Sequence, residues 1–312
     1  MTAFGNEHVI KLVQQPIPKP GNNEVLIAVA AAALNPIDAA TLQGVAIGNI
    51  YRELVPHFPR TLGWDMAGTI IECGAQVKHW QPGDKVIAMV HNLAAEYGVQ
   101  ATHIVIPEAL LATWPKGISA TKAASLPLPG LTAYQAINAL RLKPGETVLI
   151  NGALGAVGSI AAQLAIAAGC NVVGVLHAKQ NDTARTIGIT TLIERGSDIE
   201  QAVRQRGIAI DAALDVVGGR VAAQTIAAVR DNGRYVTLIP HLAEGLPTPQ
   251  RGIVQQNVLI VPDAVQLQQL SDMVDNGSLR LNPVQEWVFT DIRAAYRHLL
   301  NGTSHKQVLV MS

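Results

Sequence analysis

An apolar run that ends in a glycine-rich turn constrains this chain most: Val148-Leu149-Ile150-Asn151-Gly152-Ala153-Leu154-Gly155-Ala156-Val157-Gly158. A small-residue helix pattern follows from Ser159 to Ala168, then a second apolar run from Asn171 to Leu176. Strand, tight turn, helix and strand within about thirty residues is the setting in which such glycines bind a dinucleotide. Gly152 opens the turn, Gly155 lets the backbone approach a pyrophosphate, and Gly158 lets the helix pack closely on the strand. The helix N-terminus at Ala156 and Val157 offers unpaired N–H groups and a positive dipole end. A strict G-x-G-x-x-G would have glycine where this chain has Ala153, so the turn taken alone also fits a purely structural role. No Asp, Glu, Lys or Arg occurs between Glu146 and Lys179. Glycines at 152, 155, 158, 169 and 174 argue against a membrane helix there and for a strand buried on both faces.

The 312 residues suffice for two domains. Twenty-three basic residues balance 23 acidic ones, so no basic excess points to nucleic acid. Two distant cysteines, Cys73 and Cys170, suggest no disulfide framework, and Met1 to Lys11 lacks an apolar signal core. A soluble cytoplasmic protein with no membrane segment is expected.

Texture divides the chain. Glu24–Leu34, Thr69–Cys73, Lys85–Val90 and His103–Pro107 read as strands, with turns at Pro18–Gly21 and Gln81–Asp84. Residues 42–61 read as loop with a short helix. Ala120–Ser125 and Thr132–Leu140 read as helices around a break at Pro127-Leu128-Pro129-Gly130. Beyond the glycine turn, strands at Val172–Leu176, Thr191–Ile193, Ala212–Val217, Arg234–Ile239 and Val258–Val261 alternate with helices at Asp182–Ile187, Ile199–Arg206, Val221–Val229 and Val265–Asn276. That alternation implies a doubly wound parallel sheet. Strand, helix and strand close the chain at Val284–Phe289, Ile292–Leu300 and Val308–Met311, a tail expected to return to the first domain.

Several segments, in order, carry a family pattern. They are Leu34-Asn35-Pro36-Ile37-Asp38, Leu62-Gly63-Trp64-Asp65-Met66-Ala67-Gly68 and Gly83-Asp84-Lys85-Val86, then Leu126–Ala133, the glycine turn, and Asp215-Val216-Val217-Gly218-Gly219. With these, nearly the whole chain resembles the medium-chain dehydrogenase/reductase superfamily, in its zinc-independent quinone oxidoreductase-like branch. The resemblance implies an α/β protein. A GroES-like β-rich catalytic domain, residues 1–122 and 263–312, would be split around a Rossmann domain with a doubly wound parallel sheet, residues 123–262. The cofactor would lie in the cleft between them, and a homodimer is expected through the Rossmann sheet edge.

Zinc members of the superfamily have cysteine where Asn35 stands and histidine where Trp64 stands. Residues 80–115 hold no cysteine for a structural zinc loop, and the nine histidines show no i, i+4 pair. The expected chemistry is therefore metal-free hydride addition from a nicotinamide to a quinone or an activated C=C. Developing charge on the substrate oxygen needs a hydrogen-bond donor. Asn35 matches the family position for it and equally reads as a turn residue before Pro36. Thr132 matches a position near the nicotinamide and equally reads as a helix N-cap. Val217 falls beside the cofactor by the same resemblance. Asp38 would anchor the Asn35 loop. Tyr51 is a candidate proton donor or lid residue, and substrate contacts are expected from residues 42–61 and from residues near His91, Tyr97 and His241.

The strand after the turn ends Val175-Leu176-His177-Ala178-Lys179, with no carboxylate before Asp182 to take a ribose 2′-OH. Lys179 and Arg185, with His177 behind them, would suit the 2′-phosphate of NADP, which is favoured over NAD. The usual basic residue of NADP-using relatives falls at Gln180, and Lys179 equally reads as a solvated surface lysine. An NADPH-dependent quinone or enone reductase is thus expected. The alternative is an NADP(H)-binding sensor or structural protein without turnover. A zinc alcohol dehydrogenase with unusual ligands is a third reading.

Overall fold

A computed structural model of the chain describes residues 1–45, 57–92, 97–239, 251–303 and 305–311. Tyr51 and His241 lie outside them, as does most of 42–61. Two compact units emerge: Met1–Leu131 with Val261–Gly277 and Leu281–Ser312, and Thr132–Ile260 with Ser278–Arg280.

The first unit is built on a seven-stranded sheet. Its strands are β1 (Glu24–Ala33), β2 (Asp65–Cys73), β3 (Lys85–Met89), β4 (His103–Pro107), β5 (Leu111–Thr113), β12 (Val284–Val288) and β13 (Lys306–Val310). The order is β12-β13-β1-β2-β3-β5, with β4 also paired to β1. β1 is central, which explains its nearly unbroken run of small and branched apolar residues; Val25, Ile27, Met66, Ile70 and Ile106 pack together beside it. The C-terminal tail does return to this unit. β13 runs antiparallel to β1 with Ala33 opposite Val308, and the Leu34 N–H donates to the Gln307 carbonyl at 2.9 Å. That register sets Lys306 across from Asn35.

Helix α1 (Pro36–Gln43) was not anticipated, though its signals are in the sequence. Pro36 takes the first helical position, the Asp38 carboxylate accepts the Asn35 N–H at 2.8 Å, and Gly44 ends the helix at φ +77°. Helix α2 spans Ala120–Ala124. The expected break at Pro127–Gly130 is corrected: helix α3 runs continuously over Pro127–Leu140. The first-turn N–H groups have no intrahelical acceptor, so prolines 127 and 129 remove nothing there. The Leu128 N–H donates instead to Asp65 at 2.7 Å.

The second unit holds six strands: β6 (Thr147–Asn151), β7 (Asn171–Leu176), β8 (Thr191–Glu194), β9 (Ile210–Asp215), β10 (Val229–Thr237) and β11 (Val254–Asn257). They are parallel, in the order β11-β10-β9-β6-β7-β8. Its helices include α4 (Ala156–Ala167), α5 (Asn181–Thr186), α6 (Ile199–Gln205) and α7 (Arg220–Ala228). The order in which the chain adds strands reverses at β6, which lies between β7 and β9, so the glycine turn sits at the topological switch point, where such folds bind nucleotides. One expected strand is displaced: Val258–Val261 gives way to β11, Val254–Asn257. An edge strand is chosen by its hydrogen bonds to β10, not by side-chain burial, and all four of its side chains are exposed.

Helices α8 (Ala264–Asp275) and α9 (Ile292–Leu300) belong to the first unit. α8 covers β5: Gln268 accepts the Thr113 N–H at 2.8 Å and Ser271 donates to the Thr113 carbonyl at 2.6 Å.

Candidate functional site

In the second unit the glycines separate by role. Gly152 has φ +65°, a left-handed conformation that favours glycine. A Cβ at Gly158 would lie 2.2 Å from the Gly152 carbonyl oxygen, so α4 can start this close to β6 only with glycine there. A Cβ at Gly155 would meet only that same oxygen, at 3.2 Å, and Gly155 is exposed. Among the described residues no other heavy atom comes within 4 Å of that position. Gly155 is also the N-cap of α4 and supplies no capping side chain. This cradle fits a pyrophosphate.

Asp215, to which the sequence assigns no role beyond its place in a family segment, builds the neighbouring turn. Its buried carboxylate accepts the N–H groups of Val217 at 2.9 Å and Gly218 at 3.0 Å, and the Tyr235 hydroxyl at 2.8 Å. Burial, then the Asp215 charge, pushes the Tyr235 hydroxyl far up, so it stays a donor. Val217 is brought against the glycine turn: a Cβ on Gly152 would come within 3.3 Å of its methyl. Thr132 lies inside α3 and is buried, so the N-cap reading of it is corrected.

The strand ends carry cations. His177, Lys179 and Arg185 are exposed past the end of β7. Arg195, a further residue missed from sequence, follows β8, and its guanidinium lies 3.5 Å from His177 Nε2. Its backbone N–H donates to the Leu176 carbonyl at 2.8 Å, which fixes it beside the end of β7. Glu194 Oε1 stands 4.0 Å from the other ring nitrogen of His177.

In the first unit, Asn35 sits in a buried polar cluster. Its Nδ2 donates to Asp65 at 3.0 Å and its Oδ1 accepts from Lys306 Nζ. Lys306 Nζ is 3.7 Å from Asp65, and both side chains are almost fully buried. Burial lifts the Asp65 carboxyl to about 6, with Lys306 opposing the rise. Burial, helped by the Asp65 charge, lifts Asp38 to about 7. Burial lowers Lys306, against the pull of both carboxylates. Asp38 holds the Asn35 backbone, as expected of an anchor.

Trp64, just before β2, is buried, and the ring of His91 packs on it at 4.7 Å between centroids. Tyr97 is placed elsewhere. It lines a cavity of about 810 Å³ with Leu12, Ile17, Leu62 and Ile104, and neither Asn35 nor Trp64 reaches that cavity.

Two family descriptions match the chain: the alcohol dehydrogenase GroES-like domain over residues 21–116 and the zinc-binding dehydrogenase domain over 156–275. The chain is 29% identical over 323 residues to the chloroplast envelope quinone oxidoreductase homolog of Arabidopsis thaliana, covering 99% of this chain and 94% of that protein. It belongs to the medium-chain dehydrogenase/reductase superfamily, in its quinone oxidoreductase-like branch. Another relative is the NADPH-dependent alkenal/one oxidoreductase, chloroplastic, of Arabidopsis thaliana, 26% identical over 318 residues, with 98% of this chain and 77% of that protein covered. The quinone oxidoreductase structure from Coxiella burnetii superposes with TM-score 0.86 at 28% identity and covers 100% of this chain and 98% of that one.

The residues of this chain do not fit the zinc that other members of the superfamily hold. Asn35 offers an amide and Trp64 an indole, neither of which replaces a thiolate or imidazole. The Asp65 carboxylate beside them is already paired with the Lys306 ammonium. Among the described residues no three of His, Cys, Asp and Glu form a metal-holding group.

Proposed function

We propose that this chain is a zinc-independent, NADPH-dependent oxidoreductase that reduces quinones or α,β-unsaturated carbonyl compounds. The observation that carries the reading is the glycine cradle at 152–158 in a chain whose Asn35 cluster holds a lysine and, among the described residues, no metal ligand set. Relatives named for quinone and alkenal/one reduction support the substrate class. Bound NADPH would supply a hydride to the electrophilic carbon of the substrate. The chain's part is to cradle the pyrophosphate with Gly155 and the N–H groups of Ala156 and Val157, and to hold the 2′-phosphate with Lys179 and Arg195, with His177 and Arg185 nearby. Thr132 and Val217 would flank the nicotinamide end. Asn35 would donate a hydrogen bond to the substrate oxygen as negative charge develops, and water would return the proton.

We place the protein in the cytoplasm as a homodimer. Both cysteines are free, in keeping with a reducing compartment. The edge strand β11 presents Val254 at 62% exposure for pairing with a second copy. No helix among the described residues is long and apolar enough to cross a membrane.

The test is NADPH consumption by purified protein across a panel of quinones and enones. Turnover with either class supports the reading. Binding that shifts NADPH fluorescence without consumption would establish the sensor or structural role instead.

A further inference from the structure

Lys306 has no role yet in the proposed reaction, although its ammonium is almost fully buried. An ammonium removed from water loses much of its solvation, and a well-packed apolar residue often serves stability as well. Its surroundings show what it does to Asn35. A lysine ammonium can only donate and an ionised carboxylate can only accept. Lys306 lies on one side of the Asn35 amide and Asp65 on the other. The carbonyl must therefore face Lys306 and the NH2 must face Asp65; a flipped amide would set donor against donor and acceptor against acceptor. The backbone N–H of Asn35 is held separately, by Asp38. Nδ2 carries two hydrogens, and Asp65 is its one acceptor among the described residues. One N–H remains. A cation on the carbonyl oxygen draws electron density through the amide and makes that N–H a stronger donor.

We propose that Lys306 is the positioning residue of the reaction: it fixes the Asn35 amide in one orientation and polarises its remaining N–H for the substrate oxygen. This rests on the reading of Asn35 as the donor to that oxygen. The link is set by register, since β13 must pair with β1 as observed for Lys306 to reach Asn35.

The test is a double-mutant cycle of Lys306→Met and Asn35→Ala, read as NADPH-dependent enone reduction by the full-length protein. Asn35→Ala removes the donor and is expected to lower kcat by about a hundredfold to a thousandfold, whereas Lys306→Met only weakens it and should lower kcat by about tenfold to a hundredfold. NADPH affinity should stay within about twofold and the KM for the enone should change little, because the lost interaction strengthens only as charge develops. The double variant should be no slower than Asn35→Ala alone, because Lys306 acts through that amide. A merely structural lysine would not give that non-additivity. Lys306→Arg should recover most of kcat. If Lys306→Met does not fold, Lys306→Gln decides the matter: it keeps a donor without the charge and should still lose kcat.

Wild-type kcat in a folded Lys306→Met or Lys306→Gln, or losses that multiply in the double variant, would overturn the proposal. Unchanged kcat in Asn35→Ala would instead remove the Asn35 reading beneath it, and a wild-type protein that consumes no NADPH would remove the proposed function.

Discussion

Ala153 packs against Gly174: a Cβ built on Gly174 would come within 3.1 Å of the Ala153 methyl, which is fully buried. This contact explains how the glycine fingerprint tolerates alanine at its first glycine position. The left-handed backbone is carried by Gly152 instead, and the missing side chain in β7 makes room for the methyl. Gly174→Val should therefore clash with Ala153 and Ile189 and cost about 1–3 kcal/mol of stability. Urea unfolding measures this; an unchanged midpoint and slope would separate Ala153 from Gly174.

Gly155 and Gly158 should answer differently to the same change. Gly158→Ala forces a methyl into the Gly152 carbonyl and should lower the melting temperature. Gly155→Ala meets only the Gly152 carbonyl oxygen among the described residues, at 3.2 Å rather than 2.2 Å, so it should disturb folding far less than Gly158→Ala and weaken NADPH binding by about tenfold or more, an effect of about 1.4 kcal/mol. Thermal melts and NADPH fluorescence titration, run on both variants, distinguish packing from ligand contact.

Cofactor choice should depend on the cations past β7 and β8. Arg195→Gln and Lys179→Gln should each weaken NADPH by about tenfold or more, the scale of a lost charge-assisted hydrogen bond, and leave NADH affinity unchanged. Equal losses for both cofactors would mean that these side chains do not read the 2′-phosphate.

The fold was legible where local pattern decides structure. The glycine turn, the alternation of helices and strands after it, and the β-rich first third follow from hydrophobic period and turn residues. Much of the cluster around Asn35 was not. Lys306 lies 271 residues away and arrives through the register of β13 on β1, which no local pattern reports. Arg195 was missed because the acidic-residue rule points to the end of β7, whereas Arg195 comes from β8. α1 was legible and overlooked: the sequence carries proline at its first position, a carboxylate in its first turn and glycine at its end. Within the second unit, Asp215 looked like a strand residue, and only the fold shows that its carboxylate ties the Val217–Gly218 turn.

Stability should depend on pH through Asp38. Its folded value of about 7, against the ordinary 3.8, means that the folded protein holds more protons than the unfolded chain between those values. Stability contributed by this group is full below about pH 4 and is lost as pH rises through 7. Asp65, lifted to about 6, acts in the same direction over a narrower window. Asp38→Asn keeps an acceptor for the Asn35 N–H and deletes the titration. The stability of the variant relative to wild type should therefore increase as pH rises from about 4 to 7 and level off above it. Denaturant unfolding across that range checks this, and a difference that does not vary with pH would contradict it.

Hydride transfer without a metal is the central claim, and isotope transfer tests it most directly. NADPH carrying deuterium at both C4 positions is supplied, with an enone, to protein first dialysed against a chelator. The account predicts turnover undiminished by chelation and a product with one deuterium on the carbon β to the carbonyl. Loss of turnover on chelation, or a product without deuterium, would contradict it.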